Sequence, residues 1–158
     1  MRNLLIIGSG QYGILAKEIA IAQNLYQKID FIDDRNSKAI GKINEISKFK
    51  KDYNNIIVAI GNPYKRNNIL NECISIGFNI VNLISERSYI SPSAKLGKGI
   101  IVEPMAVIQT ESIIEDGCII SSGAIINHNC LIKEVCHINC NVTINANTTV
   151  LEYSKISI

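Results

Sequence analysis

From Ile90 to the end of the chain, an aliphatic residue occupies every sixth position without exception. An α-helix repeats apolar residues about every 3.6 positions and a sheet strand about every 2, so neither explains this spacing. A strict period of six instead predicts a parallel β-helix made of stacked hexapeptide repeats, and chance recurrence in an isoleucine-rich chain is the alternative. The aliphatic positions are Ile90, Leu96, Val102, Ile108, Ile114, Ile120, Ile126, Ile132, Ile138, Ile144, Val150 and Ile156.

Two further sets of positions support the repeat. Four residues after each aliphatic position the side chain is mostly small, which suits a narrow core, and Ile100 and Val142 are the larger exceptions. The small residues are Ala94, Ala106, Ser112, Cys118, Ala124, Cys130, Cys136, Thr148 and Ser154. Three residues after the aliphatic position come residue types that tolerate the left-handed backbone of a tight corner. These predicted corners are Gly99, Gly117, Gly123, Asn129, Asn141 and Asn147.

The cysteine spacing favours packing over chemistry. Cys118, Cys130 and Cys136 fall on the small inward positions, and no C-x-x-C pair is present. Cys73 lies in a predicted helix and Cys140 lies near a corner. We therefore expect small core residues at the three coil positions, with a metal or redox role as the alternative. The sequence predicts no metal site.

Composition argues for a globular cytoplasmic protein. The net charge is +2, and the only basic run is Lys48, Lys50 and Lys51, which we place on a solvated face, so we expect no nucleic-acid partner. The apolar segment Leu4 to Ile7 is too short for a signal peptide or a membrane span. We therefore expect a cytoplasmic location and no membrane insertion.

The first half has the pattern of a small α/β domain. Predicted strands cover residues 3–7, 28–32, 56–60 and 79–84, and predicted helices cover 14–24 and a segment from Pro63 to about Ile76. Alternating strands and helices indicate a Rossmann-like parallel sheet with right-handed crossovers. We predict two domains, residues 1–86 and 87–158.

A glycine-rich loop follows the first predicted strand. Gly8, Gly10 and Gly13 form a G-x-G-x-x-G turn, and Asp33 lies 20 residues after Gly13, where a carboxylate meets a ribose. Glycines let the backbone approach a phosphate, and the helix N-terminus beyond them presents free N–H groups. The loop therefore predicts a nucleotide site, with a purely structural turn as the alternative.

The order of these parts resembles a known family. A GSGQYG loop, the strand end FIDD, the IGN turn, GFNIVNLI, ISPSA and then hexapeptide repeats are similar to the bacterial PglD/NeuD-type sugar acetyltransferases. The resemblance covers essentially the whole chain. It implies a left-handed β-helix, acetyl-CoA as acetyl donor, and a homotrimer with active sites between neighbouring β-helices. The implied acceptor is the amino group of a UDP-linked amino-deoxy sugar of bacterial surface glycan synthesis, or alternatively a hydroxyl of sialic acid.

The resemblance also assigns roles to residues of the coil. His128, in IINHNC, matches the catalytic histidine and is expected to act as general base, with Asn129 beside it where the family commonly has an acidic residue. A weaker base is the expected result. His137, in VCHINC, matches a histidine near the thioester of acetyl-CoA. For both His128 and His137 the alternative is a solvated, outward-facing histidine. Ala146 stands where the family has a cofactor-facing glycine.

In the first domain the resemblance places the glycine loop against phosphates and the acidic pair at the base and ribose. Tyr12 occupies a loop position where the family often has histidine. The implied substrate-binding residues are Gly8, Gly10, Tyr12, Gly13, Asp33, Asp34, Gly61 and Asn62.

The coil is short for this family. The segment from Ile90 to Ile158 makes about 3.8 coils, and its last residues provide no polar cap. This favours a second hypothesis, a truncated homologue that binds a nucleotide sugar without transferring acetyl. A third hypothesis is an NAD-binding module on a structural β-helix.

Overall fold

Strand β1 (Asn3–Ile7) is the interior strand around which the first unit is built. In this computed structural model, which describes residues 2–158, Leu4, Leu5, Ile6 and Ile7 are all fully buried. A strand covered on both faces reads as a continuous apolar run, as this one does. The first unit ends at Leu83, and the second spans Ile84–Ile158.

The sheet of the first unit also contains β2 (Lys28–Ile32), β3 (Asn55–Val58) and β4 (Asn79–Ile80). Its four strands are parallel and lie in the order β2-β1-β3-β4. The helices are α1 (Gln11–Ala22) and α2 (Pro63–Ile76), and a 3-10 helix covers Ile43–Phe49. The strand order reverses between β1 and β3, and ligands of such sheets bind at the carboxyl ends of strands beside this reversal.

The predicted elements of this unit are largely confirmed, and three differences exceed a shift of two residues at the end of an element. Helix α1 begins at Gln11 instead of Ile14, so its first turn lies inside the glycine loop. The predicted strand 79–84 is two short strands, β4 and β5 (Leu83–Ile84), because the chain leaves the four-stranded sheet after Ile80. The 3-10 helix was not predicted. Its Ile43, Ile46 and Phe49 pack on the core at the three-residue spacing of that helix.

The second unit is a coil of two-residue parallel strands, each separated from the next by a corner. Strands one coil apart pair in register at eighteen-residue spacing, as in Ile114 with Ile132. The coil strands β6 to β17 are Tyr89–Ile90, Lys95–Leu96, Ile101–Val102, Val107–Ile108, Ile113–Ile114, Ile119–Ile120, Ile125–Ile126, Leu131–Ile132, His137–Ile138, Thr143–Ile144, Thr149–Val150 and Lys155–Ile156. The order β16-β13-β10-β7 forms one face, β17-β14-β11-β8-β5 the second and β15-β12-β9-β6 the third.

The predicted periodicity is confirmed by the packing. The aliphatic positions from Val102 to Val150 form one core cluster together with the second inward positions from Ile100 to Val142, Ser112 excepted. Ten consecutive corners have positive φ, and only three of them are glycines. The six predicted corners are among these ten. The other four corners have neither glycine nor asparagine and are Met105, Glu111, Val135 and Tyr153. The coil therefore imposes this conformation on residues that rarely adopt it.

The small inward side chains also satisfy corner carbonyl groups. Each of four hydroxyl or thiol groups donates a hydrogen bond to the carbonyl oxygen fifteen residues further on, at 2.8 to 3.1 Å. The prediction that the three in-register cysteines are small core residues is thus confirmed, and they have a hydrogen-bonding role as well. The pairs are Ser112 with Asn127, Cys118 with Lys133, Cys130 with Asn145, and Cys136 with Leu151.

Candidate functional site

The glycine loop lies at the carboxyl end of β1. Two of its glycines lie in close contact with backbone carbonyl groups. Gly8 has φ +95°, and a Cβ on it would lie 2.9 Å from the carbonyl oxygen of Ala59. A Cβ on Gly13 would lie 2.0 Å from the carbonyl oxygen of Gly8. By contrast, a Cβ on Gly10 would meet nothing within 4 Å. Gly8 and Gly13 therefore build the loop, whereas Gly10 leaves its outer surface open.

Asp33, at the end of β2, closes this loop. One carboxylate oxygen accepts hydrogen bonds from the N–H and the hydroxyl of Ser9, at 2.7 and 2.9 Å. The other oxygen accepts from the N–H of Arg35 at 2.8 Å. Burial, the largest single effect, acts to raise the pKa of Asp33, but the combined hydrogen bonds from Arg35, Ser9 and Asn36 outweigh it and lower the pKa. Asp33 is thus a carboxylate that fixes the loop.

Asp34 is more open than Asp33. One of its carboxylate oxygens accepts a hydrogen bond from the N–H of Ile43 at 3.0 Å. The other lies 3.8 Å from Nζ of Lys65, which stands on the first turn of α2. Lys65 therefore brings a positive charge to the edge of the sheet where the glycine loop lies, and the sequence analysis did not identify it.

The turn after β3 completes the arrangement. Arg66 is fully buried and donates hydrogen bonds from Nη1 to the carbonyl oxygens of Ile60 and Gly61, at 2.7 and 3.1 Å. A Cβ on Gly61 would lie 3.0 Å from the ring of Tyr12, so the tyrosine packs over this glycine. The Asn62 side chain accepts from the N–H of Lys65 and caps α2.

These elements surround one cavity of about 320 Å³ at the strand reversal. Six of the eight predicted substrate-binding residues line it: Gly8, Gly10, Tyr12, Asp33, Asp34 and Gly61. Gly13 and Asn62 are not among its lining residues. The cavity also has lining residues that the sequence analysis did not identify, namely Gln11, Arg35, Ile43, Ala59, Ile60 and Lys65.

In the coil, three of the four predicted residues lie in two corners that stack on each other. Exposed His128 and Asn129 follow β12, and half-buried Ala146 occupies the position equivalent to His128 one coil later, after β15. The N–H of Asn147 donates to the carbonyl oxygen of His128 at 3.1 Å, which stacks the two corners. Nδ1 of His128 lies 2.9 Å from the Asn129 side-chain amide. The corner therefore presents an accessible imidazole beside a small residue.

His137 lies elsewhere, on strand β14, and it is fully buried. Its Nε2 is 3.0 Å from the hydroxyl of Ser121, which in turn donates to a carboxylate oxygen of Glu103 at 3.2 Å. The alternative of a solvated, outward-facing His137 is therefore wrong. The sequence analysis identified neither Glu103 nor Ser121, because no motif marks a contact between residues eighteen positions apart.

Two further properties of the described part of the chain bear on function. Within residues 2–158, no group of three or more histidine, cysteine, aspartate or glutamate residues is arranged to hold a metal ion. Over the same range, no helix combines the length and the apolar character needed to cross a membrane.

Both units of the chain are similar to known proteins. Residues 3–73 match the family model described as the PglD N-terminal domain. The chain is 33% identical to the acetyltransferase domain of PglB from Neisseria gonorrhoeae FA1090, solved in complex with acetyl coenzyme A. That comparison has a TM-score of 0.94 and covers 98% of this chain and 78% of the other.

Two more distant structures share the fold. A variant of perosamine N-acetyltransferase from Caulobacter crescentus, solved with CoA and GDP-perosamine, has 24% identity and a TM-score of 0.82, covering 90% of this chain and 74% of the other. WeeI from Acinetobacter baumannii AYE has 16% identity and a TM-score of 0.77, covering 89% and 72%. The predicted architecture, a Rossmann-like sheet followed by a left-handed β-helix, is confirmed.

Proposed function

We propose a substrate and a set of residue roles from one premise: the chain belongs to the PglD/NeuD-type family of sugar acetyltransferases. It is an acetyltransferase with acetyl-CoA as donor. We propose that its acceptor is the amino group of a UDP-linked amino-deoxy sugar. The observation that carries this proposal is the pair of sites described above, a nucleotide-sized cavity in one unit and an exposed imidazole in the other.

The cavity supports binding of a nucleoside diphosphate. Helix α1 begins at Gln11, directly beside the open surface of Gly10, and the N-terminus of a helix favours a phosphate. Lys65 supplies a positive charge at the same edge. In this arrangement Asp34 accepts a hydrogen bond from the nucleoside and Asp33 holds the loop in place. Lys65 moves from Asp34 to the diphosphate when the nucleotide binds.

His128 acts as the general base in this proposal. Its Nε2 takes a proton from the sugar amine as the nitrogen attacks the thioester carbonyl, a C–N bond forms, and the C–S bond then breaks. The proton passes to the coenzyme A thiolate, so the products are an amide and a free thiol. His128 is exposed, so both the substrate and the solvent have access to its ring for this exchange.

Asn129 sets the tautomer of this base. For Nε2 to accept a proton, Nδ1 must carry one, and the Asn129 amide oxygen must then accept it. The side-chain oxygen and nitrogen of asparagine are assigned from such hydrogen bonds, and a 180° rotation of the amide interchanges them at the 2.9 Å contact. Asn129 orients the ring in this way, but it does not offset the imidazolium charge as a carboxylate would.

Ala146 gives the acyl donor room beside His128. A methyl side chain at the equivalent position of the next coil leaves space over the imidazole for a thioester. We propose that His137 is a second residue of the acetyl-CoA site. It is buried, so it acts on the acyl donor through neighbouring residues. We further propose a homotrimer, since Tyr89, Met105 and Ile113 of the coil are large apolar side chains exposed in the single chain. Light scattering gives the mass that tests this assembly.

A transfer assay tests the proposed function. The protein is incubated with acetyl-CoA and a UDP-linked amino-deoxy sugar, and free thiol and acetylated sugar are measured. We expect both products in equal amounts. Matched reactions use a GDP-linked amino sugar and free sialic acid, for which we expect slower or no thiol release. Faster release with either of these contradicts the proposed acceptor.

Binding measurements distinguish the remaining hypotheses. Calorimetric binding of the UDP-sugar without any thiol release supports a homologue that does not transfer acetyl. An increase in melting temperature with NAD but not with UDP-sugar supports the dinucleotide module instead. Either result contradicts the proposal.

A further inference from the structure

A chain of buried polar side chains runs along one face of the coil. Glu103, Ser121 and His137 are 3%, 2% and 0% exposed. Ser121 donates its hydroxyl hydrogen to one carboxylate oxygen of Glu103 and also lies 3.0 Å from Nε2 of His137. The other oxygen of Glu103 accepts from both the N–H and the hydroxyl of Ser122, each at 2.9 Å. All the members belong to the second unit.

The direction of this chain follows from the number of available hydrogens. A carboxylate only accepts hydrogen bonds, so the single hydroxyl hydrogen of Ser121 goes to Glu103. The Ser121 oxygen is then an acceptor for its other neighbour. Nε2 of His137 must therefore carry the proton in the 3.0 Å contact.

We propose that Glu103 and Ser121 are positioning residues that fix His137 in the tautomer with a proton on Nε2. The tautomer itself follows from the buried contacts alone. Its link to catalysis rests on the proposed function, in which His137 serves the acyl donor. Nε2 of the ring then carries the hydrogen, and Nδ1 carries a lone pair. If the hydrogen moved to Nδ1, a hydrogen bond of the ring would no longer pair a donor with an acceptor.

The isosteric substitution Glu103→Gln reverses the direction of the hydrogen bonds between residue 103, Ser121 and His137. The side-chain atom of residue 103 that faces the N–H of Ser122 must stay an oxygen, because that N–H is a donor. The amide NH₂ of glutamine then faces Ser121 and donates to its oxygen. The Ser121 hydroxyl in turn donates to Nε2 of His137, and the ring proton moves to Nδ1.

Nitrogen NMR of the full-length protein tests this inference. The chain has two histidines, so the His128→Ala variant assigns the ring signals of His137. Spectra are recorded at about pH 8.5, above the ordinary histidine pKa of about 6.5. We expect a protonated Nε2 in the wild type and an unprotonated Nε2 in Glu103→Gln. An unprotonated Nε2 in the wild type, or an unchanged one in the variant, overturns the proposal.

Two more variants keep the test decisive if Glu103→Gln folds poorly. Ser122→Ala removes one hydrogen bond to Glu103 but leaves the contacts of Ser121, so we expect the wild-type tautomer. Ser121→Ala removes the acceptor of the ring proton, so we expect a mixture of tautomers. A fully protonated Nε2 in Ser121→Ala overturns the proposal.

Kinetics then separate this inference from the proposed function. We expect Glu103→Gln to raise KM for acetyl-CoA about tenfold with a smaller change in kcat, and Ser122→Ala to leave KM unchanged within about twofold. An unchanged KM in Glu103→Gln, despite a reversed tautomer, overturns the link to the donor. Absence of acetyl transfer in the wild type contradicts the proposed function instead, and the NMR result still decides the tautomer.

Discussion

The glycine loop of the first unit and the corners of the coil both need unusual backbone, but they obtain it differently. In the loop, Gly8 and Gly13 are required because a Cβ on either would meet a carbonyl oxygen at 2.9 or 2.0 Å. In the coil, ten consecutive corners have positive φ and seven of them are not glycines. The loop therefore depends on particular residues, whereas the coil imposes its corner geometry through the pairing of neighbouring coils. The residue type at a corner can therefore vary, and carry a chemical function, without loss of the corner conformation.

The largest effect is expected from removing the imidazole of the catalytic corner. His128→Ala should lower kcat for acetyl transfer about 10²- to 10⁴-fold, because it deletes the proposed general base. The melting temperature should not change, since His128 is exposed and the coil sets its backbone. The matched control is Glu134→Ala, an exposed residue in the turn before β14. A large loss of stability in His128→Ala would show that corner residues are not interchangeable.

A methyl group on Gly13 tests the dependence of the loop on its glycines. Gly13→Ala should lower the free energy of unfolding by about 3 kcal/mol, because the new Cβ meets the backbone oxygen of Gly8, which has no side-chain freedom to move. Gly10→Ala, with nothing within 4 Å of its Cβ, should cost less than about 1 kcal/mol. Urea denaturation of both variants measures the difference. Equal losses would refute the distinction between the two glycines.

The same substitution at a coil corner should cost less. Gly123 has φ +70°, and its Cβ would meet the side-chain oxygen of Asn141 at 2.3 Å. That oxygen belongs to a side chain that has room to rotate, so Gly123→Ala should cost about 1 to 2 kcal/mol from backbone strain alone. Gly123→Asn should cost less, because asparagine tolerates this conformation. A loss in Gly123→Ala as large as that in Gly13→Ala would contradict an imposed corner.

The smallest effect is expected from the pH dependence of the loop. The hydrogen bonds to Asp33 lower its pKa in the folded state, so ionised Asp33 stabilises the fold above its ordinary pKa of about 4. This stabilisation is lost as pH falls from there through the lowered pKa. The urea midpoint of the wild type should therefore approach that of Asp33→Asn as the pH falls below about 4. A constant difference across this range would exclude the carboxylate as the cause.

Repetition and local spacing made most of the fold predictable. The residues of β1 and β2 and the six-residue period of the coil match the structure directly. Helix α1 begins at Gln11 and includes Gly13, a poor helix former that the motif assigns to the loop, so local propensity did not predict its first turn. The 3-10 helix has a three-residue spacing that resembles neither the α-helical nor the strand period.

The candidate sites were predictable only where a motif marks them. The glycine loop and Asp33 have a known spacing, and six predicted residues do line one cavity. Lys65, Arg66 and Glu103 have no such signature. Their partners are chosen by the fold: Asp34 for Lys65, two turn carbonyls for Arg66, and a serine eighteen residues away for Glu103. Contacts between distant side chains depend on tertiary packing, which a single sequence does not display.

The hydrogen bonds from inward hydroxyl and thiol groups to corner carbonyls have an evolutionary consequence. Because each donor finds its acceptor fifteen residues ahead, each of these four bonds lies within the length of one eighteen-residue coil. An insertion or deletion of eighteen residues outside these pairs leaves the bonds intact and shifts the following corner along the axis by one strand spacing, about 4.8 Å. Duplication of a coil can therefore move a catalytic side chain along the axis in steps of one strand spacing, without repacking its surroundings.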